Sequence, residues 1–143
     1  MKRAILLLAS LVLPSAGAAQ SDCVTLPRAD AILSSVARYF LDDDQQPVRE
    51  GWLAKVDSAA PRLLVSDAHT CQKVMRAVTS VLRKAGDWQA FLSSGYQFAV
   101  FRIGTYYAVV IERLDAPGET RLGRVPMLVF RTADVGYLGT IGV

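Results

Sequence analysis

Apolar residues recur along the chain with two different periods, and the change of period divides it. Ile32, Leu33, Val36 and Phe40 fall on one side of a helix that the pattern places over about residues 27–41. Pro27 suits its first turn, where a missing N–H costs nothing. The polar run Asp42, Asp43, Asp44, Gln45, Gln46, followed by Pro47, ends it. In the stretch 47–61, Val48, Trp52 and Val56 keep helical spacing while Gly51 interrupts it and Pro61 closes it, so a short helix and a coil both remain open. Arg62 to Val65 reads as a short extended piece. A second helix then spans about 68–85: Ser66 and Asp67 offer capping oxygens, Cys71, Val74, Met75, Val78 and Leu82 repeat on one side, and Gly86 stops it.

Beyond a linker holding Trp88, Phe91 and Ser93-Ser94-Gly95, the period becomes two. Tyr96 to Ile103 and Tyr106 to Leu114 are dense in aromatic and β-branched residues, and Gly104-Thr105 between them is a two-residue hairpin turn. A polar loop over 115–123 leads to a third strand, Val125 to Thr132. A weaker fourth follows over Val135 to Ile141, after a turn at Ala133-Asp134. The expected fold class is α+β: two main helices packed on a four-stranded antiparallel meander and tied by a disulfide.

Neither side of the first two strands is plainly polar. With both helices on one face, the other would be covered by the 42–61 and 87–95 segments, by another molecule, or left partly bare. Ala99, Phe101, Ile103, Val109 and Ile111 read as the surface under the helices, which leaves Tyr96, Phe98 and Tyr106 as a candidate binding surface for a protein or peptide. Tyrosine suits such a place because its ring gives contact area and its hydroxyl tolerates water.

The N-terminus changes this picture in one respect. Lys2 and Arg3 precede an apolar run from Ala4 to Leu13 and a small-residue stretch to Ala19, the pattern of a signal peptide over 1–19, with 20–143 as one domain. The apolar run is half of the roughly 20 residues a spanning helix needs, so no stable membrane insertion is expected once it is cleaved. The remaining length suffices for a single core. The formal charge of +3 over 143 residues falls to +1 without Lys2 and Arg3. That is too small a surplus to suggest nucleic acid.

Export, to a periplasmic or extracellular compartment, makes Cys23 and Cys71 readable as a structural disulfide. Closing a loop of that length would stabilise the fold by about 4 kcal/mol. Gln20, Ser21 and Asp22 do not make a lipobox for Cys23. Other chemistry finds little support. His69 beside Cys71 could form a thiol nucleophile only with a free sulfur in reach of the imidazole. One histidine gives no convincing zinc set, and the consecutive carboxylates Asp42 to Asp44 lack EF-hand spacing. Phosphate-loop, dinucleotide and serine-hydrolase motifs are missing, and Glu112 and Glu119 read as solvated. No catalytic residue, metal or cofactor is therefore assigned.

The Leu64-Val65-Ser66-Asp67 approach to the Cys71 helix, the Phe101-Arg102-Ile103-Gly104-Thr105-Tyr106-Tyr107 hairpin and Leu128-Val129-Phe130-Arg131 resemble uncharacterised small secreted proteins of soil bacteria. Those share a two-cysteine helix pair and a C-terminal β-meander. The resemblance covers about residues 23–138 and implies no activity or functional residue. The order of helix and strands also resembles the cystatin-like architecture, as fold analogy alone. The leading expectation is an exported non-enzymatic module that binds a protein or peptide through its sheet. A thiol or hydrolytic enzyme using His69 and Cys71 is the second reading, and an envelope structural protein dimerising through a sheet edge the third.

Overall fold

A computed structural model describes residues 25–40, 51–53, 56–57, 59–114 and 125–142. The expected signal peptide, Cys23, the Asp42–Gln46 cluster and the 115–123 loop lie outside the described residues.

The class is α+β, with three helices and a five-stranded antiparallel sheet among the described residues. In chain order the elements are α1 (Ala29–Arg38), β1 (Arg62–Leu64), α2 (Ala68–Ala85), α3 (Trp88–Ser94), β2 (Tyr96–Ile103), β3 (Tyr106–Arg113), β4 (Pro126–Arg131) and β5 (Tyr137–Gly142). The strands lie in sequence order, β1-β2-β3-β4-β5. The expected meander is β2 to β5. The extended piece before α2 adds the fifth strand, pairing Arg62 to Leu64 with Ile103 to Phe101.

The second helix matches its pattern because every local signal agrees. The Asp67 carboxylate accepts the Thr70 N–H at 2.9 Å, Gly86 closes the C-terminus, and Cys71, Val74, Val78 and Leu82 are buried. The first helix is shorter than expected. Arg28 takes a left-handed conformation (φ 57) at its N-cap, which leaves Pro27 outside, and Tyr39 and Phe40 form a turn. A short helix, α3, occupies the expected linker. It turns Phe91 into the core while Leu92 stays exposed. The described residues of 51–61 are not helical. Val135 has a φ of 53, rare for a β-branched residue, in a turn where the Arg131 guanidinium donates to Asp134 at 3.1 Å. The last strand accordingly starts at Tyr137 rather than Val135.

The expectation that both helices share one face is corrected. Gly104 (φ 58) and Thr105 form the two-residue turn, so Ile103 pairs with Tyr106, Phe101 with Ala108 and Phe98 with Ile111. Odd-numbered β2 residues therefore share a face with even-numbered β3 residues. One face carries Ala99, Phe101, Ile103, Tyr106, Ala108, Val110, Met127 and Val129, and packs with α1, Phe40, Leu53 and Val56. The other carries Phe98, Val100, Val109, Ile111, Leu128 and Phe130, and packs with Val65, Phe91 and the apolar side of α2. The molecule is three layers, helix on sheet on helices. Both strand faces are apolar because both are covered.

Candidate functional site

The three residues expected to form one exposed aromatic row do not share a face. Phe98 retains 7 % exposure and Tyr106 6 %. Phe98 lies on the α2 side, at 6.0 Å ring separation from Tyr96, which in turn meets Trp88 and Phe91 at 5.6 and 6.3 Å. Tyr106 lies on the α1 side, its ring 5.5 Å from Phe40. The cause is the register: a two-residue turn places Tyr106 with Ile103 and Phe101, not with Tyr96 and Phe98. Tyr96 alone of the three is partly exposed.

His69 and Cys71 are also kept apart. Two residues on a helix are separated by roughly 200°; Cys71 points into the core at 3 % exposure and His69 into solvent. The sulfur sits 3.8 Å from the Val65 carbonyl oxygen. No free thiol occurs among the described residues. Beside Cys71, Thr25 is fixed on the outer edge of β2. The amides of Thr25 and Leu26 donate to the Phe98 carbonyl at 2.9 Å, and the Phe98 N–H donates to Thr25 Oγ1 at 2.9 Å. Thr25 and Cys71 line one cavity of about 400 Å³ together with Ala68, Gln72 and Met75. No group of three or more metal-ligating side chains occurs among the described residues.

Among the described residues, part of the sheet beside α1 stays open. α1 crosses the face it packs on and leaves a groove of about 410 Å³ at the Val110–Glu112 end of β3. Ile32, Val36 and Tyr39 of α1 form one wall, Val110 and Val125 the floor, and Leu26 and Pro27 the far end. Walls of this kind are apolar, with Ser35, Tyr39 and Glu112 supplying the polar atoms. Glu112 is half-buried as a residue, and no hydrogen bond or ion pair engages its side chain among the described residues. A mostly apolar pocket of this size with a few polar groups is the usual form of a small binding site.

Sequence reasoning passed over Glu112 as a solvated carboxylate. The signal that finds it is the alternation Ala108, Val110, Glu112: the hairpin parity places all three on the α1 face, and the last breaks an apolar row. Glu119 lies outside the described residues.

The fold defines a three-layer α+β domain with this groove beside α1 on one sheet face. No protein-family model, curated protein or solved structure matches the chain.

Proposed function

We propose that the protein is an exported, non-enzymatic module that holds an extended segment of a peptide or partner protein in the groove between α1 and the β3–β4 end of the sheet. The observation that carries this reading is the unengaged Glu112 carboxylate in an apolar groove. A carboxylate lining an apolar groove favours an apolar segment with a lysine, arginine or free amine positioned to meet it, because charge-assisted hydrogen bonds are the strong and directional ones. The separation of His69 from Cys71 favours this reading over thiol chemistry.

Export and the Cys23–Cys71 disulfide belong to the same proposal. Support for the bridge comes from position: Thr25, two residues after Cys23, lines the cavity at Cys71. Two residues of extended chain reach about 7 Å. Titration of the exported protein should find no reactive thiol before reduction; two thiols would remove the bridge and reopen the enzymatic reading.

The test of binding is selection from a random peptide library on the wild-type protein, followed by binding to Ile32→Glu and Glu112→Gln proteins. Selected peptides should carry a cation within an apolar stretch, lose binding to Ile32→Glu and lose their cation preference on Glu112→Gln. Peptides that bind wild type and Ile32→Glu equally would refute the groove. One observation favours the sheet-edge reading as an alternative: β5, the outer strand, has neither charge nor proline, the usual protections of an exposed edge. A light-scattering mass of a dimer, reduced to a monomer by Thr140→Pro, would favour that reading.

A further inference from the structure

The near-balanced charge of the chain conceals a segregation that the fold creates. Across α2 there are four cations, Lys73, Arg76, Arg83 and Lys84, together with His69, and no carboxylate between residues 68 and 85. All five are exposed. At about 100° per residue their directions fall within an arc of roughly 100°, opposite Cys71, Val74, Val78 and Leu82, so burial of the apolar side aims the whole row at solvent. From His69 to Lys84 the row runs about 22 Å at the helical rise. Among the described residues, no ion pair or side-chain hydrogen bond engages the four cations. Asp67 and Asp87, the carboxylates nearest in the chain, lie beyond the two ends of α2. α1, on the other face of the sheet, mixes signs with Arg28, Asp30 and Arg38.

The C-terminal end of this row meets apolar surface. Arg83, Trp88, Gln89 and Leu92 line a shallow cavity of about 290 Å³, and Leu92 is 51 % exposed. We propose that the outer side of α2, with Trp88 and Leu92 at its end, docks the protein on an anionic phospholipid bilayer. The cations meet headgroup phosphates and Leu92 enters the acyl boundary, with the half-buried Trp88 behind it, as amphipathic surfaces do when they lie on a membrane. The apolar end favours a bilayer over a hydrated polyanion, which would reward the charges alone. This surface is on the opposite face of the sheet from the peptide groove, and its docking does not depend on the groove.

The test is sedimentation of the protein from an exporting host with two kinds of vesicle: phosphatidylcholine alone, and phosphatidylcholine containing phosphatidylglycerol. Binding is expected only to the anionic vesicles. It should be lost near 1 M salt, where the screening length is about 3 Å. Each cation replaced by alanine in the series Lys73→Ala, Arg76→Ala, Arg83→Ala and Lys84→Ala should weaken partitioning about fivefold. Leu92→Ser should weaken it severalfold while leaving the salt dependence intact, and Arg28→Ala with Arg38→Ala should leave it unchanged. Far-ultraviolet circular dichroism checks that each variant keeps its fold. Failure to sediment with anionic vesicles overturns the proposal. Equal binding to neutral vesicles, or equal loss in the Arg28/Arg38 variant, does so too, as does retention on heparin without sedimentation on vesicles.

Discussion

Trp52 seals the α1 face of the sheet at its β5 end, and Gly139 is the residue that lets it do so. A Cβ at position 139 would fall within the Trp52 ring, against Cζ2 and Cε2, with Nε1 2.9 Å away. Gly139→Ala must therefore displace the indole or shift the strand. Overpacking of this kind costs about 1–3 kcal/mol; a value near 2 kcal/mol corresponds to a fall in melting temperature of roughly 6–10 °C for a domain of this size. Trp52→Ala removes a half-buried ring and should cost about 2 kcal/mol, around half the usual penalty for a fully buried one. With Trp52 already gone the clash has no partner, and alanine is intrinsically better than glycine in a strand by roughly 0.5–1 kcal/mol. Gly139→Ala should then be neutral or stabilising. The double-mutant cycle thus carries a coupling of about 2–3 kcal/mol, well above the few tenths expected of independent sites. In a Trp88→Phe background Trp52 is the sole tryptophan, and its emission should shift to the red on Gly139→Ala. An equal cost in both backgrounds, or unchanged emission, would show that residues 51–53 do not lie on this face.

Two further predictions concern the core and a helix cap. Phe101→Ala and Tyr106→Ala remove rings from the same packed face and should each cost about 3–5 kcal/mol in denaturant unfolding; a nearly neutral Tyr106→Ala would return that tyrosine to the surface. Asp67→Ala removes the α2 cap and should cost about 1 kcal/mol near neutral pH. Hydrogen bonds from Thr70, its hydroxyl and then its amide, hold the Asp67 carboxyl below its usual 3.8. That contribution is present above the unfolded value and is lost as pH falls through the folded one. Wild-type and variant melting temperatures should therefore converge below pH 3.8, and a gap that stayed constant into acid would count against the cap.

Elements whose local signals were mutually consistent were legible in the chain. The Cys71 helix had cap, period and stop in agreement, and the β2–β3 hairpin had its turn residues between two alternating runs. What escaped depended on long-range geometry. Arg62–Leu64 is too short to declare itself a strand, and acquires that state only by pairing with Phe101–Ile103. α3 hid in a segment whose Ser93-Ser94-Gly95 end reads as loop, although Trp88, Phe91 and Leu92 already had helical spacing. The side on which α1 packs was not written locally at all, since an amphipathic helix fits either face of a sheet that is apolar on both. The pairing of strand faces, by contrast, was available: a two-residue turn obliges Ile103 to face Tyr106, and that parity separates Tyr106 from Phe98.

That parity also changes which residues can signal function. In a sheet covered on both sides, aromatic residues on either face are accounted for by packing, so Tyr96, Phe98 and Tyr106 lose their value as evidence for a partner. A charged residue that interrupts an apolar row acquires that value, because packing of the row does not call for it. Glu112 is such a residue on the α1 face, at the end that α1 leaves open. The same reasoning applies outside the core. A helix stabilised by its buried side does not require the charges on its outer side to share a sign, and the Lys73–Lys84 row contributes mutual repulsion rather than stability. Features that the fold does not need are therefore the ones from which the two binding proposals are built, and on different layers of the molecule.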